Sequence, residues 1–423
     1  MDGARPRALR LAAFFLLTFV ILSSIIYIPR RTAHRPPMPR ARKVGYFTAW
    51  SIYDRAFFPA DVAVERLTHI NYAFANLKNN RVAVGDAWAD VDKPHAGSSY
   101  GAGDIKGNFG EFNNDNSPVR RRNPALRSLI SVGGWTWSAG FSAMAASPLS
   151  RAEFVRSAAE FLARYKFDGI DIDWEHPVEG GMDGNPHSPD DARNYLLLLR
   201  ELRHHLDSQL PPPRFGRYEI SIATSAAPSV YRHLDLPAIA DVVDHINIMT
   251  YDYAGSWSRS TAHQQNLFRP TAGDSGISGN DTVSGYIARG VPPHKVVLGV
   301  GFYGRGFSNV DHSASPAADL PGLGCPFSGV PAGSWEPGSF DYKALRRLHL
   351  LPNSTYSTHW DDAAKAPILY SHADRVMITF EDAMALSWKA DYVLRRGLGG
   401  IMIWELSQDH GCELLAKICE YLG

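Results

Sequence analysis

Eight short apolar runs recur between residue 43 and the C-terminus, and many are followed by a segment long enough for an amphipathic helix. Such runs are typical of strands that are buried on both faces. Eight of them in one domain favour an α/β fold of the (β/α)8 TIM barrel type over a doubly wound sheet. The predicted strands are Val44–Trp50, His69–Ala75, Ser128–Val132, Gly169–Trp174, Glu219–Thr224, His245–Thr250, Val296–Gly301 and Gly400–Trp404. Helical periodicity predicts helices over Arg151–Tyr165, Asp190–His205 and Asp382–Arg396.

Two intervals between the predicted strands are too long for simple connections. Residues 77–123 are rich in Gly, Asn and Asp, which predicts a long loop after the second strand. The run VRRR at residues 119–122 is interpreted as a solvated part of that loop. Residues 306–375 contain short apolar runs of their own, which predicts a small α+β insertion subdomain between strand 7 and its helix.

The first 42 residues differ in composition from the rest of the chain. Residues 11–28 contain eighteen uncharged residues, which is the lower limit for spanning a bilayer. Three arginines precede this stretch, so a cleavable signal peptide is the alternative interpretation. No small-x-small cleavage site follows it, and we expect an uncleaved signal anchor with a single pass through the membrane. Residues 34–42 predict an extended, Pro-rich basic linker to a folded domain at residues 43–423.

The orientation of this anchor has conflicting signals. More basic residues follow the apolar stretch than precede it, and the positive-inside tendency would keep the large domain in the cytoplasm. Two sequons, at Asn280 and Asn353, favour the opposite side of the membrane.

Charge and cysteine content argue against a nucleic-acid partner, a disulfide between Cys412 and Cys419, and a metal site. Nine of the 43 Lys and Arg residues lie in residues 1–43, so the remainder of the chain is mildly acidic. This balance argues against nucleic acid as a partner. Cys412 and Cys419 are expected on one helix, separated by about 10 Å of helical rise, which is too far for a disulfide. No Cys or His spacing indicates a metal, and no cofactor is predicted.

The run FDGIDIDWEHP at residues 167–177 places four acids in a segment that otherwise reads as a buried strand. Because side chains alternate along a strand, Asp171, Asp173 and Glu175 should all face the barrel interior, whereas Asp168 should not and is predicted to be structural. Three like charges in a column of low dielectric cannot all ionise cheaply, so at least one proton should remain. Glu175, at the exposed end, is the natural general acid.

Aromatic side chains accompany these acids at the ends of other predicted strands. They occur in GYFTAW, NYAFAN, SVGGWTWS, NIMTYDY, GFYGRGF and MIWELSQD. Rings that stack on pyranose faces beside acids that bind hydroxyls predict a sugar site. A metal-dependent phosphoesterase could also use a DxD pair, but the aromatic surroundings and the acidic charge disfavour it.

These motifs resemble those of family 18 glycoside hydrolases, the chitinases and their relatives. FDGIDIDWE matches the signature DGxDxDWE, and SVGGW, MTYD, YGRGF and WELSQD resemble further family motifs in the family's order. The resemblance implies a chitinase that hydrolyses β-1,4-N-acetylglucosamine linkages of chitin or chito-oligosaccharides. It also implies a retaining mechanism in which the substrate's own N-acetyl group is the nucleophile.

The resemblance further implies roles for individual residues. Glu175 would be general acid and then base, and Asp173 would orient the acetamido group, exchanging a proton or hydrogen bond with Asp171. Tyr251 would donate its hydroxyl to the acetamido oxygen, and Trp404 would form the floor under the distorted sugar. The implied substrate-binding residues are Tyr46, Phe74, Gly134, Trp135, Thr136, His176, Met249, Thr250, Asp252, Arg305 and Trp404.

Two related functions remain as alternatives within this resemblance. One is an endo-β-N-acetylglucosaminidase acting on glycans, and the other is a non-catalytic chitin-binding lectin. Chitin lies outside the cytoplasm, so the resemblance favours an extracellular or lumenal domain on a membrane anchor, with secretion after signal cleavage as the alternative. We expect a monomer.

Overall fold

Strands at all eight predicted places are present in a computed structural model, which describes residues 41–273, 276–350 and 354–423. Six further strands accompany them in this part of the chain. In chain order the strands are β1 (Arg42–Thr48), β2 (His69–Lys78), β3 (Arg81–Ala83), β4 (Arg127–Gly133), β5 (Gly169–Asp173), β6 (Glu219–Ser225), β7 (His245–Met249), β8 (Val296–Gly301), β9 (Tyr303–Phe307), β10 (Ser339–Asp341), β11 (Tyr356–Asp361), β12 (Ala366–Ser371), β13 (Val376–Thr379) and β14 (Gly400–Trp404).

Eight of these strands close into a parallel barrel, so the fold prediction is confirmed. The hydrogen-bonded order is β1-β14-β8-β7-β6-β5-β4-β2, and pairing of β1 with β2 closes the ring. The short strand β3 extends β2 as an antiparallel hairpin. Gly400 allows β14 to pair with β1, since a Cβ there would lie 2.1 Å from the carbonyl oxygen of Arg42 on β1.

Helices cover the outside of the barrel and bury their apolar faces against it. Ser147 caps the long helix after β4 by accepting a hydrogen bond from the Leu149 amide, and Asp382 caps the helix before β14 by accepting one from the Ala385 amide. In chain order the helices are α1 (Gly107–Asn113), α2 (Pro118–Arg122), α3 (Phe141–Ala146), α4 (Pro148–Tyr165), α5 (Asp191–Gln209), α6 (Pro228–Tyr231), α7 (Leu236–Val242), α8 (Gly279–Ala288), α9 (Tyr342–Leu350), α10 (Ala383–Arg396) and α11 (Glu413–Leu422).

An antiparallel sheet lies in the chain between β8 and α10, the position at which an inserted subdomain is predicted. Its strand order is β10-β9-β13-β12-β11. The sheet begins at Tyr303, a few residues before the predicted boundary, because the YGRGF motif forms β9. Gly304 and Gly306 let β9 pack closely against its neighbours in this sheet, since a Cβ at either position would come within 2.8 Å of a neighbouring segment.

The interval at residues 77–123 is more ordered than the predicted long loop. It contains β3, α1, α2 and a turn of π-helix at Trp88–Asp92. The prediction that VRRR is solvated is wrong for Val119 and Arg120, which are buried. Arg120 is drawn inward because its guanidinium lies 3.3 Å from the buried Asp168 carboxylate.

Several predictions concern the membrane and the secretory route. Residues 11–28 and Asn353 lie outside the described residues. Within the parts that are described, no helix is long and apolar enough to cross a membrane. The Asn280 side-chain oxygen accepts hydrogen bonds from Tyr392 and Arg396 in α10. Cys412 and Cys419 do not form a disulfide with one another.

Candidate active site

Asp171 and Asp173 of β5, together with Glu175 two residues after the strand ends, form one column of carboxyl groups. Asp171 is bonded by side chains from four other barrel strands, so it lies in the barrel interior. Ile170, Ile172 and Trp174 face the opposite way and pack in the core between the barrel and its helices. The predicted alternation of the strand is therefore confirmed for these residues.

Asp171 is the most heavily bonded acid of the column. Its Oδ1 accepts hydrogen bonds from Ser221 (2.5 Å) and Asn247 (3.3 Å), and its Oδ2 accepts them from Tyr46 (2.7 Å) and Ser131 (2.8 Å). Complete burial raises the pKa of Asp171, and the Ser221, Tyr46 and Ser131 donors oppose that rise. The four donors provide the solvation that an ionised carboxylate needs in this position.

Asp173 and Glu175 differ from Asp171, because few hydrogen-bond donors solvate their carboxyl groups. The Oδ1 atom of Asp173 is buried and has no hydrogen-bond partner among the described residues. Burial first, and then the charges of Glu175 and Asp171, raise the pKa of Asp173 well above its usual range. Burial, with a contribution from the charge of Asp252, raises the pKa of Glu175 to about 8. The column therefore holds a proton at neutral pH.

Backbone and hydroxyl hydrogen bonds fix the chain from the end of β5 to Glu175. The Glu175 amide donates to the Ser138 hydroxyl oxygen (2.9 Å), and that hydroxyl donates to the Gly134 and Asp173 carbonyl oxygens (2.9 and 3.2 Å). The Gly134 amide donates to the Asp173 carbonyl oxygen at 2.8 Å. The His176 Nε2 atom lies 3.8 Å from Glu175 Oε2. Burial lowers the pKa of His176 to about 4, so this imidazole is neutral near pH 7.

Tyr251 supplies a hydroxyl next to the acids. Its pKa is raised well above the usual range by burial, and then by the charges of Tyr303, Asp173 and Glu175. The phenol therefore keeps its proton and can donate a hydrogen bond. The Tyr251 hydroxyl donates to the Met402 sulfur at 3.9 Å.

Aromatic rings line the mouth of the barrel beside the column. The Trp404 ring lies 5.4 Å from the Tyr46 ring and stacks on Phe74 at 5.8 Å between centroids. Trp50 continues the row at 6.2 Å from Phe74. Gly134 leaves space for the Phe74 ring, since a Cβ there would lie 2.6 Å from it. A protonated acid beside an apolar aromatic floor is suited to acid catalysis on a sugar ring.

The remaining predicted residues lie around this floor with different exposures. Trp135 and Thr136 are exposed, and Met249 is partly buried in the cluster that contains Tyr46, Phe74 and Trp404. Thr250 is buried, and its hydroxyl donates to the Gly299 carbonyl oxygen at 2.6 Å. This contact directs the Thr250 hydroxyl toward β8.

Asp252 and Arg305 form a two-point ion pair at the edge of the site. Arg305 Nε and Nη2 donate to the two Asp252 carboxylate oxygens at 2.8 and 3.0 Å. The guanidinium also lies 5.4 Å from the exposed ring of Trp257 and 3.3 Å from Glu336 of the inserted subdomain. The pair fixes the carboxylate whose charge helps to raise the pKa of Glu175.

Some residues that build the site were not predicted. Ser131, Ser221 and Asn247 donate to Asp171, and Ser138 holds the end of β5. The alternation of their own strands would have placed the first three on the interior face. Asp168 lies outside the column, where it accepts hydrogen bonds from the Ser128 amide and hydroxyl, as its predicted structural role requires.

Comparison with known proteins relates this geometry to a family. A family model described as Glycosyl hydrolases family 18 matches residues 42–409. Chitinase A1 of Niallia circulans is 36% identical over 446 aligned positions, which cover 96% of this chain and 62% of that protein. Endochitinase 1 of Metarhizium robertsii is 36% identical over 368 positions, which cover 86% of this chain and 80% of that protein.

Solved structures with the same fold include several chitinases. Chitinase ChiA74 from Bacillus thuringiensis superposes with a TM-score of 0.81 and 31% identity, over 91% of this chain and 70% of that one. The Ostrinia furnacalis Group IV chitinase superposes with a TM-score of 0.77 and 28% identity, over 90% of this chain and 99% of that one. The protein is therefore a glycoside hydrolase that belongs to family 18 of the glycosyl hydrolases.

Proposed function

We propose that this protein is a chitinase, which hydrolyses β-1,4-N-acetylglucosamine linkages of chitin or chito-oligosaccharides. The observation that carries the proposal is the column of Asp171, Asp173 and Glu175, which retains a proton at neutral pH beside the Trp404 floor. The names of the relatives favour chitin as the polymer.

Glu175 is the general acid in this proposal, and the raised pKa supports that role because an acid must be protonated at the working pH. It transfers its proton to the glycosidic oxygen as the substrate's N-acetyl oxygen attacks the anomeric carbon. The resulting Glu175 carboxylate then takes a proton from the water that opens the oxazolinium, so the configuration is retained.

Asp173 and Tyr251 act on the acetamido group during the same reaction. Asp173 accepts a hydrogen bond from the acetamido N–H and, once ionised, stabilises the positive oxazolinium. Asp171, which four donors solvate, exchanges a proton or hydrogen bond with Asp173 and so can take the proton that Asp173 gives up. The Tyr251 hydroxyl donates to the acetamido oxygen, where the charge changes in the transition state.

Hydrolysis of chitotetraose by the purified full chain tests this proposal. We expect cleavage with and without EDTA, and loss of cleavage in Glu175→Gln. Glu179→Gln is a matched control, since Glu179 is a partly exposed acid four residues further on that pairs with Arg232 at 3.6 Å. Cleavage of glycoprotein glycans but not of chitotetraose would favour the endo-β-N-acetylglucosaminidase. Tight binding without cleavage would favour the lectin.

We also propose that residues 1–42 direct the catalytic barrel, residues 43–423 with the insertion at 306–375, to the outside of the cytoplasm. The uncharged stretch at residues 11–28 supports a signal anchor, with secretion after cleavage as the alternative. The mass of the mature chain, its extraction from membranes by carbonate and its protection from protease separate these outcomes. Gel filtration of the purified protein tests the expected monomer.

A further inference from the structure

Two tryptophans outside the candidate active site are joined through one lysine. Trp360 lies near the end of β11 and is partly exposed, and Trp388 lies in α10 and is 38% exposed. Trp360 Nε1 donates to Asp362 Oδ1 at 3.3 Å, and Lys365 Nζ donates to the same oxygen at 2.6 Å. The ammonium also lies 4.3 Å from the centre of the Trp388 ring. One cation therefore connects an indole of the inserted subdomain with an indole of a barrel helix.

Lys365 has a backbone conformation that favours glycine. It is the last residue of the turn between β11 and β12, and its φ is 54°. Glycine adopts this left-handed conformation in hairpin turns at less cost than a residue with a side chain. The Lys365 side chain is only 15% exposed. The chain thus accepts backbone strain at the residue whose ammonium fixes the Trp388 ring.

The turn that carries Lys365 is fixed to the barrel. Its Ala364 carbonyl oxygen accepts hydrogen bonds from the Leu267 and Phe268 amides at 3.0 and 3.3 Å. The buried carboxylate of Asp361, at the start of the turn, lies 3.1 Å from the buried His263 Nε2. All three partners belong to the segment that follows β7. The two indoles are therefore held in one arrangement before any ligand arrives, which lowers the entropy cost of binding.

The exposed surface around Trp388 is apolar and its charges are paired. Met384, one turn earlier on α10, is 46% exposed. Asp362 pairs with Lys365, and Asp391 pairs at 2.8 Å with the arginine four residues later. The Asp362 side chain is nevertheless 82% exposed, so it can still accept hydrogen bonds from a ligand. Ring faces beside such an acceptor suit an uncharged, hydroxyl-rich ligand, which is a sugar and not an ion.

The position of this surface in the barrel relates it to the substrate. Helices of a parallel barrel run against the direction of the strands, so α10 begins at the end of the barrel where the strands finish. Met384 and Trp388 lie in its first two turns. The surface therefore lies on the outer wall, toward the end of the barrel at which Glu175 follows β5.

We propose that Trp360, Trp388 and Met384 form a second sugar-binding surface, which binds the chitin polymer and holds the protein on insoluble substrate. The inference rests on the proposed function for the identity of the polymer. It goes beyond that function, because this surface takes no part in hydrolysis. Lys365 is a positioning residue that orients the Trp388 ring.

Adsorption of the purified full chain to insoluble chitin tests this proposal, and Glu175→Gln is the background so that the chitin is not consumed. We expect Trp388→Ala to weaken adsorption about fivefold, as loss of one stacking contact predicts. In the otherwise wild-type chain, Trp388→Ala should leave kcat/KM for soluble chitotetraose within about twofold.

Two substitutions of Lys365 separate positioning from general stability. Lys365→Gly should weaken adsorption in the same direction without lowering the melting temperature, because glycine relieves the backbone strain. Lys365→Arg should keep most of the adsorption, because a guanidinium also stacks on an indole. Leu394→Ala is the matched control, since Leu394 is a 48% exposed apolar residue in the last turn of the same helix. It should adsorb as its parent does.

Unchanged adsorption of Trp388→Ala, or an equal loss in Leu394→Ala, would overturn the proposal. A concentration-dependent dimer that Trp388→Ala abolishes would also overturn it, because the surface would then contact a second copy of the chain. A wild-type chain that adsorbs through Trp388 but does not cleave chitotetraose would instead refute the proposed function. The two failures are therefore distinguishable.

Discussion

Glu175→Gln should make the protein more stable than the wild type at alkaline pH. The pKa of Glu175 is about 8 in the folded chain and 4.5 in the ordinary, solvated state. Between these values the folded state binds a proton that the unfolded state has released, so the wild type loses stability as the pH rises through this window. At about 1.4 kcal/mol per pKa unit, the loss approaches about 5 kcal/mol above pH 8. Glutamine cannot ionise, so Glu175→Gln avoids this loss of stability.

Urea unfolding at pH 5 and at pH 9 measures this effect. The gain of Glu175→Gln over the wild type should be small at pH 5 and should grow by a few kcal/mol at pH 9. Glu179→Gln should show no such growth, since that residue is partly exposed. Parallel stability curves for the wild type and Glu175→Gln would show that burial does not hold the proton on Glu175. Because the proposed general acid must carry this proton to act, we expect kcat/KM for chitotetraose to fall above about pH 8.

Three further substitutions test other parts of the site and the core. Tyr251→Phe should lower kcat/KM for chitotetraose roughly 100-fold with an unchanged melting temperature, because the proposed transition-state donor is lost. Ser221→Ala removes the 2.5 Å donor to Asp171 and should cost about 1–3 kcal/mol of unfolding free energy in urea titrations. Lys389→Met leaves the buried Glu381 without its cation and should cost about 3–5 kcal/mol, most of which a second change, Glu381→Gln, should restore in the same titrations.

The barrel could be predicted from the sequence because its strands are short apolar runs with clear ends. Two of them, Val296–Gly301 and Gly400–Trp404, have the predicted bounds. The structure of residues 77–123 could not be predicted, because its buried groups depend on distant partners. Arg120 illustrates this, since its burial follows from contact with Asp168, 48 residues later in the chain.

The candidate site was predictable only as far as single strands determine it. The alternation of β5 identified Asp171 and Asp173 as interior residues. The donors to Asp171 come from β1, β4, β6 and β7, and their convergence depends on the register of all these strands. The proposed second sugar-binding surface had no local signal, because only the fold of the inserted subdomain brings Lys365 to the Trp388 ring.

The unequal bonding of the three acids has a consequence for how such a protein can change over generations. Asp171 links its own strand to four others through its oxygens, so its replacement would both remove a proposed catalytic group and weaken the barrel. Within the described part of the chain, no strand donates a hydrogen bond to the Glu175 carboxylate, and the ionised form of this group destabilises the fold. Replacement of Glu175 by a residue that cannot ionise could therefore stabilise the fold while the aromatic rings around Trp404 stay in place. A descendant that keeps this ring cluster and lacks the proposed acid would therefore lose no structural support.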